Sequence, residues 1–318
     1  MKAIVIGAYG HIGSYLVPKL IRAGYEVIAI SRGKSKPYTQ DILWEKVTHI
    51  TMDRSKEPNF PEKVAALKGD IVIDLINFTV EDTHLMIAAL KETDISHYLY
   101  CSSIWAHGRA AILPTDPNSK KYPLDEYGSQ KYESEKLLKN EFLTNGFPAT
   151  IIMPGQISGP GWTIINPLAN HDPEIFQKIA NGETIYLPNF GMETLHHVHA
   201  SDVAQIFVDA IKHRESALGE SFHAVAEDSL TLFGYAQATY HYFNKEPKIK
   251  FLSWEKWCEL INNEDYIDKT YYHIARSGKY SIENAKDRIN YSPEYSTLEV
   301  IKESLKSYID SEWISVKN

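Results

Sequence analysis

Seven residues near the start, Gly7-Ala8-Tyr9-Gly10-His11-Ile12-Gly13, restrict the architectures open to this 318-residue chain more than any other segment. They follow an unbroken apolar run, Ala3-Ile4-Val5-Ile6, which reads as a strand buried on both faces of a parallel sheet. They lead into Ser14 to Ile21, which reads as a helix with Pro18 in its first turns and Gly24 at its end. Each glycine has a separate physical use. Gly7 permits the tight turn, Gly10 lets the backbone approach a pyrophosphate, and Gly13 allows close packing of helix on strand. The helix N-terminus then faces the anion with its free amides. A strand, a glycine turn and a helix in this order predict a dinucleotide site, to which Tyr9, His11 and Ile12 of the same loop also belong.

The rest of the first half repeats the strand–helix cadence. Strands are expected at Glu26–Ile30, His49–Met52, Asp70–Ile76, Tyr98–Ser103 and Ala149–Met153, and helices at Thr83–Leu90 and Leu124–Leu143. Such alternation with short connections specifies an α/β fold with a doubly wound parallel sheet. After Gly155 the cadence stops in a proline-punctuated stretch. A helix from Ser201 to Ile211 and a strand at Ser221–Val225 then return to the sheet, and the chain from Thr231 onward is mostly helical. The expected organisation is a dinucleotide-binding domain, 1–160, to which 195–226 return. Residues 161–194 and 227–318 form a smaller, discontinuous C-terminal substrate lobe.

The end of the second strand bears on the cofactor. A carboxylate there would bind a ribose 2′-hydroxyl; instead the chain has Ser31-Arg32-Gly33-Lys34-Ser35-Lys36. A hydroxyl, the Arg32 guanidinium and Lys36 suit a 2′-phosphate, which favours NADP(H) with NAD(H) as the alternative. Asp53 and Arg54, after the third strand, are placed to border the adenine. Leu75 and Ile76 at the end of the fourth strand with Asn77 after it, Ser102 at the end of the fifth, and Pro154 and Ile157 after the sixth complete the cofactor set.

Tyr127 and Lys131 stand four residues apart on one helix, hence on one face. An isolated phenol titrates near ~10, too high for a base at neutral pH, and a neighbouring ammonium favours its ionised form. Ser103 ends the fifth strand, where ligands of open α/β sheets bind. The trio is expected to exchange a proton at a carbinol or carbonyl oxygen. Trp105, His107, Gln156, Trp162 and His197 are the candidate substrate contacts. His197 and His199 share a strand face, but no third ligand beyond Asp202 completes a metal site, and none is expected.

These motifs, with Met153-Pro154-Gly155-Gln156-Ile157-Ser158-Gly159-Pro160, His199-Ala200-Ser201-Asp202 and Asn290-Tyr291-Ser292-Pro293, resemble the extended short-chain dehydrogenase/reductase family of Rossmann-fold enzymes. The resemblance implies Tyr127 as general acid/base, Ser103 as its partner and Lys131 as the tuning cation, with hydride moving between a substrate carbon and a nicotinamide. Both epimerase and reductase chemistry stay open. Where family dehydratases carry an acid pair, this chain has Ile104-Trp105, so water loss is disfavoured. Met153 and the Leu195-His196-His197 stretch stand where two anion-binding arginines are usual, which weakens the case for a nucleotide sugar over another sugar-like substrate; Arg276 is the candidate substitute.

Ser31-Arg32-Gly33-Lys34, Asp53-Arg54-Ser55 and Tyr100-Cys101-Ser102-Ser103 are similar to the branch containing chloroplast stem-loop RNA-binding proteins. The charge argues against nucleic acid: 33 basic against 41 acidic residues leaves −8. The two cysteines supply neither a disulfide framework nor a zinc site, and no apolar run approaches the roughly 20 residues of a membrane span. The chain reads as cytoplasmic and free of membranes, with a homodimer left open.

Overall fold

The computed structural model describes residues 1–316. Its first half comprises β1 (Lys2–Ile6), α1 (His11–Arg22), β2 (Glu26–Ser31), β3 (Thr48–Thr51), α2 (Phe60–Ala66), β4 (Ile71–Asp74), α3 (Val80–Lys91), β5 (His97–Cys101), α4 (Glu126–Asn145) and β6 (Ala149–Pro154). The second half continues with β7 (Gln156–Ser158), α5 (Glu174–Ala180), β8 (Ile185–Pro188), β9 (Thr194–Leu195), β10 (His197–His199), α6 (Ala200–Lys212) and α7 (Arg214–Ala217). β11 (Ser221–Ala224), β12 (Leu230–Thr231), α8 (Leu232–Tyr242), β13 (Ile249–Leu252), α9 (Trp254–Ile261), α10 (Glu264–Ile274), α11 (Glu283–Ile289) and α12 (Thr297–Asp310) complete it.

Seven parallel strands form the central sheet in the order β11-β6-β5-β4-β1-β2-β3. The strand order reverses between β1 and β4, so a crevice opens beyond their carboxyl ends, where open α/β sheets bind ligands. α1 and α6 pack together on one side of the sheet and α2, α3 and α4 on the other. The inner strands are apolar because both faces are covered: β1, β4 and β5 have almost no exposed residue, whereas edge strand β3 is largely open. Three further two-stranded pairs, β7 with β10, β9 with β12 and β8 with β13, lie outside it.

Apolar side chains gather in two clusters. One lies around the sheet and includes Tyr280–Tyr291 residues on and beside α11; the other is built from Ile164 to Leu195, α8, Trp257 and α12. The strands expected from the sequence are present to within a few residues. Pro18 corrects an expectation, since it lies in the middle of α1 rather than in its first turns. The carbonyl that Pro18 leaves without an amide, that of Ser14, accepts from the Thr39 hydroxyl at 2.9 Å, so the helix continues through the proline.

Candidate active site

The carboxyl ends of β1, β4, β5 and β6 surround a cavity of about 450 Å³. Its floor is the glycine loop. Gly10 precedes α1 with extended backbone, no side chain caps the helix, and its first turn holds no acidic residue. The first amides of α1 therefore have no capping side chain and suit an anion. A Cβ on Gly13 would lie 2.2 Å from the Ala8 carbonyl oxygen, so only glycine lets the helix start this close to the strand end. This cradle fits the pyrophosphate of a dinucleotide, with Leu75 and Ile76 on one side and Pro154 and Ile157 on the other.

Ser103, Tyr127 and Lys131 meet in the same cavity. Ser103 follows β5 and caps a single 3-10 turn, Ile104–Ala106; its Oγ accepts from the Trp105 amide at 3.2 Å. That acceptance leaves the Ser103 proton free to donate to a bound oxygen. Asp125 caps α4, its Oδ1 accepting from the Gly128 amide at 2.8 Å. A Cβ at Gly128 would stand 2.6 Å from the Trp105 carbonyl oxygen; glycine here lets α4 press against the Ser103 turn and brings Tyr127 beside it.

Lys131 is 1% exposed, and its Nζ donates to the carbonyls of Asn77 at 2.6 Å and Cys101 at 2.7 Å. The ammonium also sits 4.9 Å from the Tyr100 ring centre, 5.0 Å from that of Phe78 and 5.7 Å from that of Tyr127. Burial lowers Lys131 to about 8. The phenol responds differently from the sequence expectation. Although Tyr127 keeps 39% of its surface open, loss of water around it pushes it up to about 12, with the Ser103 side chain pulling the other way. Desolvation is the leading cause of the upward shift, reinforced by the nearby Cys101 and Asp125 side chains.

Most nominated residues line the cavity: Gly7, Gly10, His11, Ile12, Gly13, Leu75, Ile76, Ser102, Ser103, Trp105, Tyr127, Lys131, Pro154, Gln156, Ile157 and Trp162. His11 stacks on Trp162 at 4.9 Å and 8°. The others lie elsewhere. Ser31, Arg32, Lys36 and Asp53 stand beyond the cavity at the ends of β2 and β3. There Ser31 Oγ is 2.8 Å from His49 Nε2 and Asp53 accepts from the Ser55 hydroxyl at 2.8 Å. Tyr9 packs on Trp44 and His49 instead of facing the cavity.

Four further residues depart from expectation. Arg54 turns inward, paired with buried Asp74 and donating to the Ile76 carbonyl, so its guanidinium is not available to an adenine. Asn77 is buried; its side chain accepts from Thr83 Oγ1, and only its carbonyl reaches Lys131. His107 and His197 do not reach substrate space. His107 is buried with Nε2 2.8 Å from His223 Nε2, and His197 is buried with Nδ1 2.8 Å from Ser158 Oγ. Each has one ring nitrogen partnered inside the protein, and His197 stands within β10 rather than on a loop.

The cavity instead recruits Phe78, Thr163, Ile165, His171 and His273, none of them nominated from the sequence. Phe78 directly follows the nominated Leu75-Ile76-Asn77 run and was within reach of that reasoning. His171 and His273 come from distant segments with no local signature. Arg276 stands behind the wall, its guanidinium 3.9 Å over Trp105 and 3.0 Å from Asp125. Among the described residues no three His, Cys, Asp or Glu side chains could hold a metal ion, and no helix is long and apolar enough to cross a membrane.

Comparison with known proteins bears on the family and the fold. The family described as NAD dependent epimerase/dehydratase matches residues 3–224. The chloroplast stem-loop binding protein of 41 kDa b from Arabidopsis thaliana is 26% identical over 318 residues, covering 95% of this chain and 78% of the relative. The 2′-dehydrokanamycin reductase of Streptomyces kanamyceticus is 25% identical over 230 residues, 72% of this chain and 63% of the relative. The crystal structure of UDP-glucuronic acid 4-epimerase from Bacillus cereus, in complex with UDP-glucuronic acid and NAD, superposes with a TM-score of 0.75 at 16% identity, covering 98% of this chain and 100% of that one. Sheet order, glycine cradle and family match agree, and the chain belongs to the NAD dependent epimerase/dehydratase family of extended short-chain dehydrogenase/reductase enzymes.

Proposed function

We propose that the protein is a nicotinamide-dependent reductase or epimerase acting at a carbinol or carbonyl carbon of a sugar-like compound, with Ser103, Tyr127 and Lys131 as its working residues. The observation that carries this reading is the convergence of those three side chains on one cavity floored by the helix-terminal glycine cradle. When bound, a nicotinamide dinucleotide supplies the hydride donor or acceptor at its pyridine ring. Tyr127 Oη takes the proton that a carbinol oxygen loses as the carbon becomes a carbonyl, and returns it in the reverse direction. Ser103 holds that oxygen with the proton left free by the Trp105 amide contact. Lys131 retains one proton for a ribose hydroxyl while its charge favours the phenolate.

At the adenosine end, exposed Arg32 and Lys36 beside the Ser31 hydroxyl support a 2′-phosphate, hence NADP(H) over NAD(H). Replacing Arg32 with Ala is expected to weaken NADPH binding and spare NADH; equal losses would reject this assignment. Tyr127→Phe is the main test. It should lower kcat by roughly 10²–10⁴-fold with cofactor affinity retained, and an unchanged turnover number would refute the acid/base role. A cofactor that copurifies and is regenerated each cycle indicates epimerisation, and one that exchanges indicates net reduction.

A second reading comes from the name of the Arabidopsis relative, a stem-loop binding protein. Binding of RNA would give an affinity that falls steeply with salt, because phosphate contacts release counterions. The net charge of −8 and the presence of both Tyr127 and Lys131 favour chemistry.

A further inference from the structure

The cavity has two chemically different ends. Beyond the glycine cradle it is walled by Phe78, Trp105, Tyr127, Ile165, His171 and His273. Among the described residues of the lining the one cation is Lys131, whose Nζ is already held by two carbonyls. Arg276, the arginine best placed to serve this end, is 4% exposed. Its guanidinium carbon sits 3.9 Å from the Trp105 ring centre and its Nη2 3.0 Å from the Asp125 carboxylate, and it donates to the Tyr272 carbonyl at 2.6 Å. Releasing it would leave Asp125 without its partner and remove the stacked layer behind Trp105. A diphosphate entering here would give up water without gaining a free cation, which is strongly unfavourable.

The same wall offers something else. Nδ1 of His273 is 2.7 Å from the Lys269 carbonyl oxygen. A carbonyl only accepts, so Nδ1 carries the proton toward Lys269. The Ala169 carbonyl is a weaker second backbone acceptor beside the ring, and the unprotonated Nε2 is the ring's acceptor. Burial keeps His273 uncharged, down to about 4, and lowers His171 as well. The His273 ring meets Trp105 edge-on at 5.2 Å, and Trp105 in turn meets Tyr127 edge-on at 5.9 Å. An apolar aromatic face next to neutral acceptors, one indole away from the phenol, is complementary to the carbon face and hydroxyl donors of an uncharged ring.

We propose that this end of the cavity takes an uncharged pyranose-like hydroxy or keto compound that carries no phosphate, with Trp105 under the ring face and His273 Nε2 accepting from a ring hydroxyl. The proposal rests on the nicotinamide-dependent reading of the same cavity and adds the substrate class. His273 becomes a specificity-determining residue, and the nucleotide diphosphate of many sugar substrates is excluded.

The test is equilibrium binding to the full chain loaded with whichever of NADPH or NADH binds more tightly. Saturation-transfer NMR and calorimetry are run with three probes: methyl α-D-glucopyranoside, UDP-glucose and UDP. The glucoside is expected to bind, UDP to show no binding, and UDP-glucose to bind no more tightly than the glucoside. His273→Leu should weaken the glucoside about tenfold, the order of one hydrogen bond, and His273→Gln, which restores an acceptor, should recover most of it. Tight binding of UDP or UDP-glucose would overturn the proposal. So would absence of glucoside binding, or an unaltered glucoside affinity in a His273→Leu protein whose melting temperature shows it folded. Because the readout is binding, a Tyr127→Phe protein with full turnover would sink the catalytic reading and leave this result standing.

Discussion

Lys131 illustrates how one side chain can serve structure and site together. Its ammonium ties the carbonyl of Asn77, after β4, to that of Cys101, at the end of β5, and so fixes the two strand ends that border the cavity. Lys131→Met should therefore reduce both stability and cofactor affinity. Two buried carbonyls lose their donor, each worth about 1–3 kcal/mol, a loss that urea denaturation would register. Arg54 makes a purely structural counterpart. Arg54→Ala would strand the Asp74 carboxylate, which is wholly buried, and should cost about 3–5 kcal/mol in the same assay. The sequence made Tyr127 and Lys131 legible because helical spacing alone puts them on one face. It could not distinguish Arg54 in an internal ion pair from Arg54 at a ligand, since both follow a strand end. His107 and His197 misled for the same reason, and His171 and His273 gave no signal because only tertiary folding brings α10 and the loop before α5 to the sheet.

At the level of elements, the start of α4 joins the two halves of the protein. Asp125 accepts the Gly128 amide with one oxygen and faces Arg276, from the segment after α10, with the other. Asp125→Asn keeps an acceptor for the cap and removes only the charge; Asp125→Ala removes both. The alanine variant should be less stable than the asparagine variant by about 1 kcal/mol in chemical denaturation, the usual value of a helix cap. Equal stabilities would mean that the Gly128 contact contributes nothing. The strands were readable because their apolar runs are continuous, as burial on both faces demands. α2, with its left-handed Asn59 ahead of Phe60-Pro61, was not, for its seven residues are too few to establish a period. α1 was readable except at Pro18, where the Thr39 hydroxyl, distant in sequence, satisfies the orphaned carbonyl.

Across the whole molecule, histidine burial sets the response to acid. Of the 13 histidines, nine (His11, His97, His107, His171, His196, His197, His199, His223 and His273) are held below the ordinary imidazole range, in each case chiefly by loss of water. The folded state binds fewer protons than the unfolded one wherever such a group is depressed. Their contribution is complete above pH ~6.5 and is lost as the pH falls from there toward about 4, where His11, His199, His223 and His273 titrate in the fold. Asp202, raised by burial to about 6, works in the opposite sense, as do Asp209 and Glu303, also raised by burial, but these are three groups against nine. Unfolding free energy measured between pH 6 and 5 should drop by more than the about 1.4 kcal/mol per pH unit that a single proton gives. A flat profile there would contradict the burial described.

The position of β11 at the rim of the sheet carries a consequence for how the protein is made. Residues 221–224 pair with β6, yet the chain leaves the sheet after residue 154 and lays down about half of the buried residues of another apolar cluster before coming back. On a translating ribosome, at roughly 5–20 residues per second, β6 waits several seconds with a bare row of amides and carbonyls. Nascent or prematurely terminated chains that stop short of residue 221 should thus be the aggregation-prone species and the natural clients of chaperones.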